Sequence, residues 1–363
     1  MTRPQEYFSP NYVDARRRLR AAAVGAGTTL TPYINPNGRG PQGEVLSTDV
    51  VRIGPEAAEN VIFVTSATHG IEGFCGSGGQ VGLLAAGLHR ELPATTALVI
   101  VHAINPYGFS HERRVTEGGV DLNRNFRDFS EPPPTNAAYA EIRDMLVPAD
   151  WYGPAHAAAD RAIATFIATR GQAVFQDALR AGQWDDPHGV FFGGAEPTWS
   201  NRTWRAIIRK HGAGARRIVH LDLHSGLGGY GDCEVIFGFV QPVKDILARA
   251  RAWYGRVTSP ADGDSLSANI QGVMPNALLD EAPEAEITPV LLEFGVKPTV
   301  DALDAIRADV WLYRHGQPNS PEGTRIKAEV RSAFYGETDD WKARIFERTV
   351  DVYRLTLAGL SRR

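Results

Sequence analysis

The chain alternates apolar runs of strand length with stretches that carry apolar residues at helical spacing. Residues 8–25 set apolar positions against an arginine cluster, which predicts a helix with a charged outer face. Strands are predicted over 44–53 and 60–66, separated by the turn-prone "GPEAAEN". The stretch 76–90, "GSGGQVGLLAAGLHR", returns to helical spacing after a glycine-rich start. At 96–105, "TALVIVHAIN" has few charges and several β-branched residues, the profile of a strand covered on both faces. Sheet-like sequence resumes at 216–226, 233–240 and 287–296, with helices predicted over 299–315 and 340–360. This alternation predicts an α/β fold with a mixed, mainly parallel central sheet flanked by helices.

One segment breaks the rhythm. "SEPPPTN" (130–136) cannot continue a helix or a central strand. Behind it lies helix-rich sequence over roughly 136–212, broken by "WYGPAH" and "WDDPHGVFFGGAEPTWSN". The reading is a single domain spanning 1–363, with a helix-rich insertion within 130–215. Composition narrows the class further. A net charge of −4 offers no basic footprint, so neither nucleic acid nor an anionic membrane is an expected partner. No run approaches the roughly 18 apolar residues that span a bilayer. The first twenty residues lack the apolar stretch of a secretory signal, which makes the cytoplasm the expected location. Two cysteines, Cys75 and Cys233, exclude a disulfide framework or a Cys-rich zinc site.

The strand ends carry the candidate chemistry. "NVIFVTSATHGIEGFCGSGG" (60–79) begins as a buried strand and then presents His69 and Glu72 among glycines. In "IVHLDLHSG", Leu221 and Leu223 share one side of a strand while Asp222 and His224 share the other. "VLLEFG" ends an apolar strand on Glu293. Open α/β sheets bind ligands at the carboxyl ends of their strands, so these residues can meet in one crevice. Two imidazoles and a carboxylate leave a fourth position for water, the ligand logic of catalytic zinc. Water there becomes acidic near neutral pH, and a second carboxylate is then needed to move protons. Glu293 suits that task, and Asp222 is placed to back a metal-bound ring. Each residue alone has a plainer reading. A buried histidine is more often a hydrogen-bonded core residue, H-x-x-E is a short string, and Glu293 alone fits a buried ion pair. Three apolar strands that each end in such a residue beside glycine are not what a core built for stability needs.

Between them, "NPYGFSHERRVTEGGVDLNRNF" (105–126) crowds Arg113, Arg114, Asp121, Asn123, Arg124 and Asn125 into a short non-helical segment. Such a loop is either stapled by its own ion pairs or built to hold carboxylates and a developing oxyanion. Two other strings fail their context. "GLGGYG" (226–231) leads into a strand rather than a phosphate-binding helix, and "CGSGG" lacks the first glycine of a nucleophile elbow. "GVFFGGAEPTWSN" (189–201) fits a pocket wall and a packed loop equally.

Taken in order, "HGIE", "RVTEGGVDLNRNF", "DLHSG" and "LLEFG" resemble the zinc carboxypeptidase-like metallopeptidase superfamily, which includes the succinylglutamate desuccinylase and aspartoacylase deacylases. More closely, the chain resembles a bacterial branch of it labelled as a domain of unknown function. The resemblance implies the zinc-carboxypeptidase-like fold and one zinc ion per chain, held by His69, Glu72 and His224. It makes Glu293 the general base and Arg114 the oxyanion-polarising arginine, with Arg113 as runner-up. Asn123 and Arg124 match the pair that grips a substrate carboxylate, with Asp121 and Asn125 supporting their loop. The implied activity is hydrolysis of a C–N amide or peptide bond in a small molecule or peptide bearing a free carboxylate. Deacylation of N-acyl amino acids, and a non-catalytic binding protein that kept the fold, are the alternatives. The phenolic tyrosine of the digestive enzymes has no clear counterpart; Tyr230 and Tyr254 are the candidates.

Overall fold

In a computed structural model that describes residues 3–239, 244–297 and 299–362, the most apolar segments lie side by side at the centre. The strands are β1 (Leu30–Arg39), β2 (Val45–Ile53), β3 (Asn60–Ser66), β4 (Thr96–His102), β5 (Arg217–Gly226), β6 (Cys233–Phe237) and β7 (Glu286–Gly295). They form one seven-stranded sheet in the order β1-β2-β4-β3-β5-β7-β6. The inner four, β4, β3, β5 and β7, run parallel. The flanking strands β1, β2 and β6 pair antiparallel. Every residue of β3 and β4 is buried, which is why neither shows a polar alternation. The predicted mixed, mainly parallel sheet is the observed one.

Twelve helices flank it among the described residues: α1 (Tyr12–Gly25), α2 (Gly73–Ala85), α3 (Pro106–His111), α4 (Ala137–Leu146), α5 (Pro154–Arg170), α6 (Gln172–Arg180), α7 (Trp199–Gly212), α8 (Lys244–Tyr254), α9 (Asn276–Glu281), α10 (Thr299–Arg314), α11 (Pro321–Phe334) and α12 (Asp339–Leu360). None is long and apolar enough to cross a membrane. Glycines let α2 lie close against the sheet. A Cβ on Gly76 would come within 2.6 Å of the Ser66 Cβ, and the helix predicted over 76–90 is observed as Gly73–Ala85. On the opposite face, the Trp204 ring of α7 meets Phe63 of β3 edge-on at 5.3 Å. Thus α7 covers the sheet, whereas α4, α5 and α6 pack on one another. The predicted strand over 233–240 is observed as Cys233–Phe237, and Val240 lies outside the described residues.

The order in which strands are added to the sheet reverses about β3. From β3 the chain passes to β4 on one side and later to β5 on the other. A crevice opens at such a switch point, beyond the carboxyl ends of the parallel strands.

Candidate active site

His69 reaches that crevice because the chain turns sharply after β3. Ala67, just past the strand, has φ +59°, a left-handed conformation costly for a residue with a Cβ. The short 3-10 turn Gly70–Glu72 follows. It is tied to the loop beyond α3: the Gly70 N–H donates to the Arg114 carbonyl (3.0 Å) and the Ile71 N–H to the Arg113 carbonyl (2.8 Å). A Cβ on Gly70 would lie 2.1 Å from the Gly108 carbonyl carbon, so the approach requires glycine. One pair of backbone bonds thereby fixes His69, Glu72 and Arg114 relative to one another. His224 and Glu293 arrive differently. They are register partners on adjacent parallel strands, so their side chains leave the sheet on the same face.

The three residues expected to hold metal converge. His69 Nδ1 lies 2.8 Å from Glu72 Oε1, and His224 Nδ1 lies 2.8 Å from Glu72 Oε2. One donor atom from each falls within 4.8 Å of the others, and all three residues are buried. Each imidazole has a carboxylate behind it. Asp222 Oδ2 sits 2.7 Å from His224 Nε2, and Asp121 Oδ1 sits 3.3 Å from His69 Nε2. That arrangement orients a metal-binding ring and fixes its tautomer. Asp222 is held in turn by the hydroxyls of Thr65 and Thr68. Two imidazole nitrogens and a carboxylate at one point, with the opposite ring nitrogens already satisfied, fit a zinc-sized cation.

Electrostatics point the same way. Burial works against a charge on Glu72, yet His69 and His224 outweigh it and hold its pKa down at about 2. Burial likewise opposes charge on His224, but Asp222 and Glu72 raise its pKa well above the ordinary value. Groups that favour a proton at this point favour a cation in its place. Glu293 shows the reverse pattern. Burial, and then the Glu72 charge, push its pKa up to about 8. Its Oε1 accepts the Leu227 N–H at 3.0 Å, whereas Oε2 accepts from no described residue.

The arginines separate. Arg114 faces the site: Nη1 donates to Glu72 Oε1 (3.3 Å), Nε donates to Asp121 Oδ2 (2.9 Å), and Nη2 lies 2.7 Å from His69 Nε2. Arg113 points elsewhere, which corrects its candidacy. It is buried in an ion pair with Asp309 (3.0 Å) over the Tyr313 ring and does not line the pocket. Arg124 does line it, 4% exposed, with Nη1 donating to the Asn123 carbonyl and Nη2 to that of Arg180. Its nearest carboxylate oxygen, Asp121 Oδ1, is 3.9 Å away. Asn123 spends its side-chain oxygen on the Met274 N–H (2.8 Å), and its Nδ2 donates to no described residue. Asn125 fastens the loop: its Nδ2 donates to the carbonyls of Gly193 and Glu196, and its Oδ1 accepts the Thr198 N–H. Neither candidate tyrosine takes part. Tyr230 is exposed against Thr338, and Tyr254 is buried against Thr356, outside the pocket lining.

Sequence reasoning missed part of the wall. The cleft spans about 800 Å³ including its open mouth, and one side comes from Gln176, Leu179 and Arg180 of α6 together with Phe191. Phe191 holds φ +57°, strained for a bulky residue, and its ring centre lies 5.3 Å from both the Arg114 and the Arg124 guanidinium carbons. The stretch 189–201, left open between pocket wall and packed loop, does both. For Asp121 a signal was present: a metal-binding histidine calls for a carboxylate behind it, and "DLNRN" supplies one.

A family described as "Protein of unknown function (DUF2817)" matches residues 8–348. That match agrees with the branch indicated by the motif resemblance. No curated protein matches the sequence. Among solved structures, carboxypeptidase A from Helicoverpa armigera aligns over 89% of this chain and 73% of its own, at 14% identity and a TM-score of 0.44. A metallo-carboxypeptidase from Pseudomonas aeruginosa, in complex with (2-guanidinoethylmercapto)succinic acid, aligns over 98% and 71%, at 14% identity and a TM-score of 0.47. An aspartoacylase family protein from Mesorhizobium loti aligns over 79% and 67%, at 18% identity and a TM-score of 0.37.

Proposed function

The chain belongs to the DUF2817 family, and we propose that it is a zinc-dependent hydrolase of C–N amide bonds in small substrates bearing a free carboxylate. One observation carries this reading: His69 Nδ1, Glu72 and His224 Nδ1 meet at a single point while Glu293, with its pKa pushed up to about 8, emerges from the neighbouring strand. A zinc ion held by those three residues would supply Lewis-acid polarisation and make a water acidic near neutral pH. Glu293 Oε2 takes a proton from the attacking water as its oxygen bonds to the substrate carbonyl carbon, and delivers it to the amine nitrogen as the C–N bond breaks. A carboxylate whose pKa is moved toward the working pH suits both halves of the transfer. Arg114 stabilises the negative charge that develops on the substrate carbonyl oxygen. Asn123 Nδ2 and the Arg124 guanidinium hold the substrate carboxylate. Apolar side chains on the pocket wall, among them Leu291 and Ile306, keep bulk water from the reacting bond.

The purified protein is expected to contain about one zinc per chain. His69→Ala and His224→Ala lower that content, and Glu293→Gln keeps the metal but loses turnover. Dipeptides assayed against N-acyl amino acids separate a carboxypeptidase from a deacylase. Full activity in Glu293→Gln would sink the mechanism, and unchanged zinc in both histidine variants would sink the ligand set.

A further inference from the structure

The helical segment brings a charge to the pocket that the proposed reaction does not use. Gln176, Leu179 and Arg180 are spaced i, i+3, i+4 on α6, so they share one face, and all three line the cleft. Arg180 has two separate roles there. Its backbone carbonyl accepts the Arg124 Nη2 hydrogen bond at 2.7 Å, which pins the carboxylate-binding arginine against the end of α6. Its side chain reaches across the cleft, where Nη1 donates to the Leu266 carbonyl at 3.1 Å.

The carboxylates nearby do not balance the arginines. Asp121 and Glu72 both pair with Arg114. Asp121 also faces His69, and it stands 3.9 Å from Arg124. Among the described residues, Arg180 has no carboxylate within 4 Å. Two guanidiniums on one wall, Arg124 and Arg180, are thus held mainly by backbone carbonyls. A single substrate carboxylate seated on Asn123 and Arg124 leaves Arg180 half-buried without an anion, a costly arrangement for a charge. Beside it, Gln176 Oε1 is buried with no hydrogen-bond partner, so the amide is free to turn its N–H2 toward an acceptor. Burial lowers the Arg180 pKa; the Asp177 charge opposes it, the weaker Arg114 charge adds to it, and the net direction is down.

We propose that Arg180, with Gln176, forms a second anion-binding point in this pocket, so that the amine half of the substrate is a dicarboxylic amino acid rather than a neutral one. The proposal deepens the hydrolase reading and rests on it only for the identity of the reaction. The second carboxylate accepts charge-assisted hydrogen bonds from Arg180, while the first is held by Asn123 and Arg124.

The test compares two near-isosteric probes that differ in one charge, N-acetyl-L-glutamate and N-acetyl-L-glutamine. Their binding is measured by calorimetry to the full-length protein carrying Glu293→Gln. The glutamate probe is expected to bind about tenfold or more tightly. Adding Arg180→Gln brings the ratio close to one, and adding Arg180→Lys, which keeps the charge, preserves most of it. The proposal is overturned if the starting protein does not discriminate, or if Arg180→Gln keeps the ratio. It is also overturned if Arg180→Lys loses the ratio as fully as Arg180→Gln, since the guanidinium would then matter only for packing. A binding ratio that holds while the zinc-loaded native chain cleaves neither N-acetyl-L-glutamate nor a dipeptide ending in glutamate refutes the hydrolase reading and leaves this one standing. Cleavage with no dependence on Arg180 does the opposite.

Discussion

The middle of the sheet and the segment from α4 to Phe191 face the same pocket, but they are built on different terms. His224 and Glu293 stand on adjacent parallel strands, where backbone pairing fixes their spacing before any side chain is considered. Arg180 and Phe191 stand on a helix and a loop whose position depends on the rest of the wall. Arg180 is placed by a helix end that also grips Arg124, and Phe191 by a strained backbone. On the proposed reading, two of the groups assigned to the reaction, His224 and Glu293, therefore sit on the part of the molecule least able to shift. The groups proposed to choose the substrate, Arg180 and Phe191, sit on the part most open to change.

The sharpest way to break that contrast is to remove a strand-borne ligand. His224→Ala is expected to abolish zinc binding and bring turnover below detection. It also leaves Asp222 and Glu72 buried without the imidazole between them, at a cost of about 3–5 kcal/mol in stability. Zinc content and a urea melt measure the two effects together. A variant that kept its zinc would show that the three residues meet for packing alone. Asp222→Asn is milder: the side chain keeps its size and its threonine neighbours but loses the charge behind His224. Zinc affinity should fall by roughly 10–100-fold. If competition with a chelator reveals no loss, the ring is oriented by something other than Asp222.

The same contrast explains what could be read in advance. The strands β3, β4, β5 and β7 were legible because a strand covered on both faces must be an apolar run. A histidine or glutamate closing such a run stands out. The edge strand β1 was not legible. It bonds on one side only and tolerates Pro32 and Pro36, so no alternation survives in its sequence. The helix α11 was missed although it carries a start signal: the Ser320 hydroxyl caps the Gly323 N–H, and Pro321 occupies the first turn. Arg180 gave no signal of its own, because an arginine near a helix C-terminus is ordinary on any surface. Only the fold shows that this helix ends at a pocket. Arg113 misled for the opposite reason: it adjoins Arg114 in a loop where neighbouring side chains point apart, one to the site and one to Asp309.

On the wall, the expected effects are smaller and of another kind. Phe191→Ala removes the ring that lies against Arg114 and Arg124 while leaving every metal-facing atom in place. KM should rise several-fold with zinc content unchanged and kcat altered less, because the ring aligns the arginines rather than entering the chemistry. An equal loss in kcat with KM unchanged would move Phe191 from the binding side of the contrast to the reacting side.

The smallest effect tests the electrostatics of the sheet-borne site without any assay of turnover. Glu293 keeps its proton in the folded, metal-free protein up to a pKa of about 8, against 4.5 for the free side chain. Between those values the unfolded chain releases this proton and the folded chain does not. Folding stability therefore falls as pH rises through that window, by up to roughly 1.4 kcal/mol per unit. Glu293→Gln removes the dependence. In chelator-treated protein, its Tm advantage over the native chain should be near zero at pH 4.5 and grow to a few degrees by pH 8. Zinc should shrink that advantage, because a dication beside Glu72 cancels the charge that helps hold the Glu293 proton in place. An advantage that stays flat across the pH window would mean that Glu293 is ionised in the folded, metal-free protein, and that burial and the Glu72 charge do not hold a proton on it.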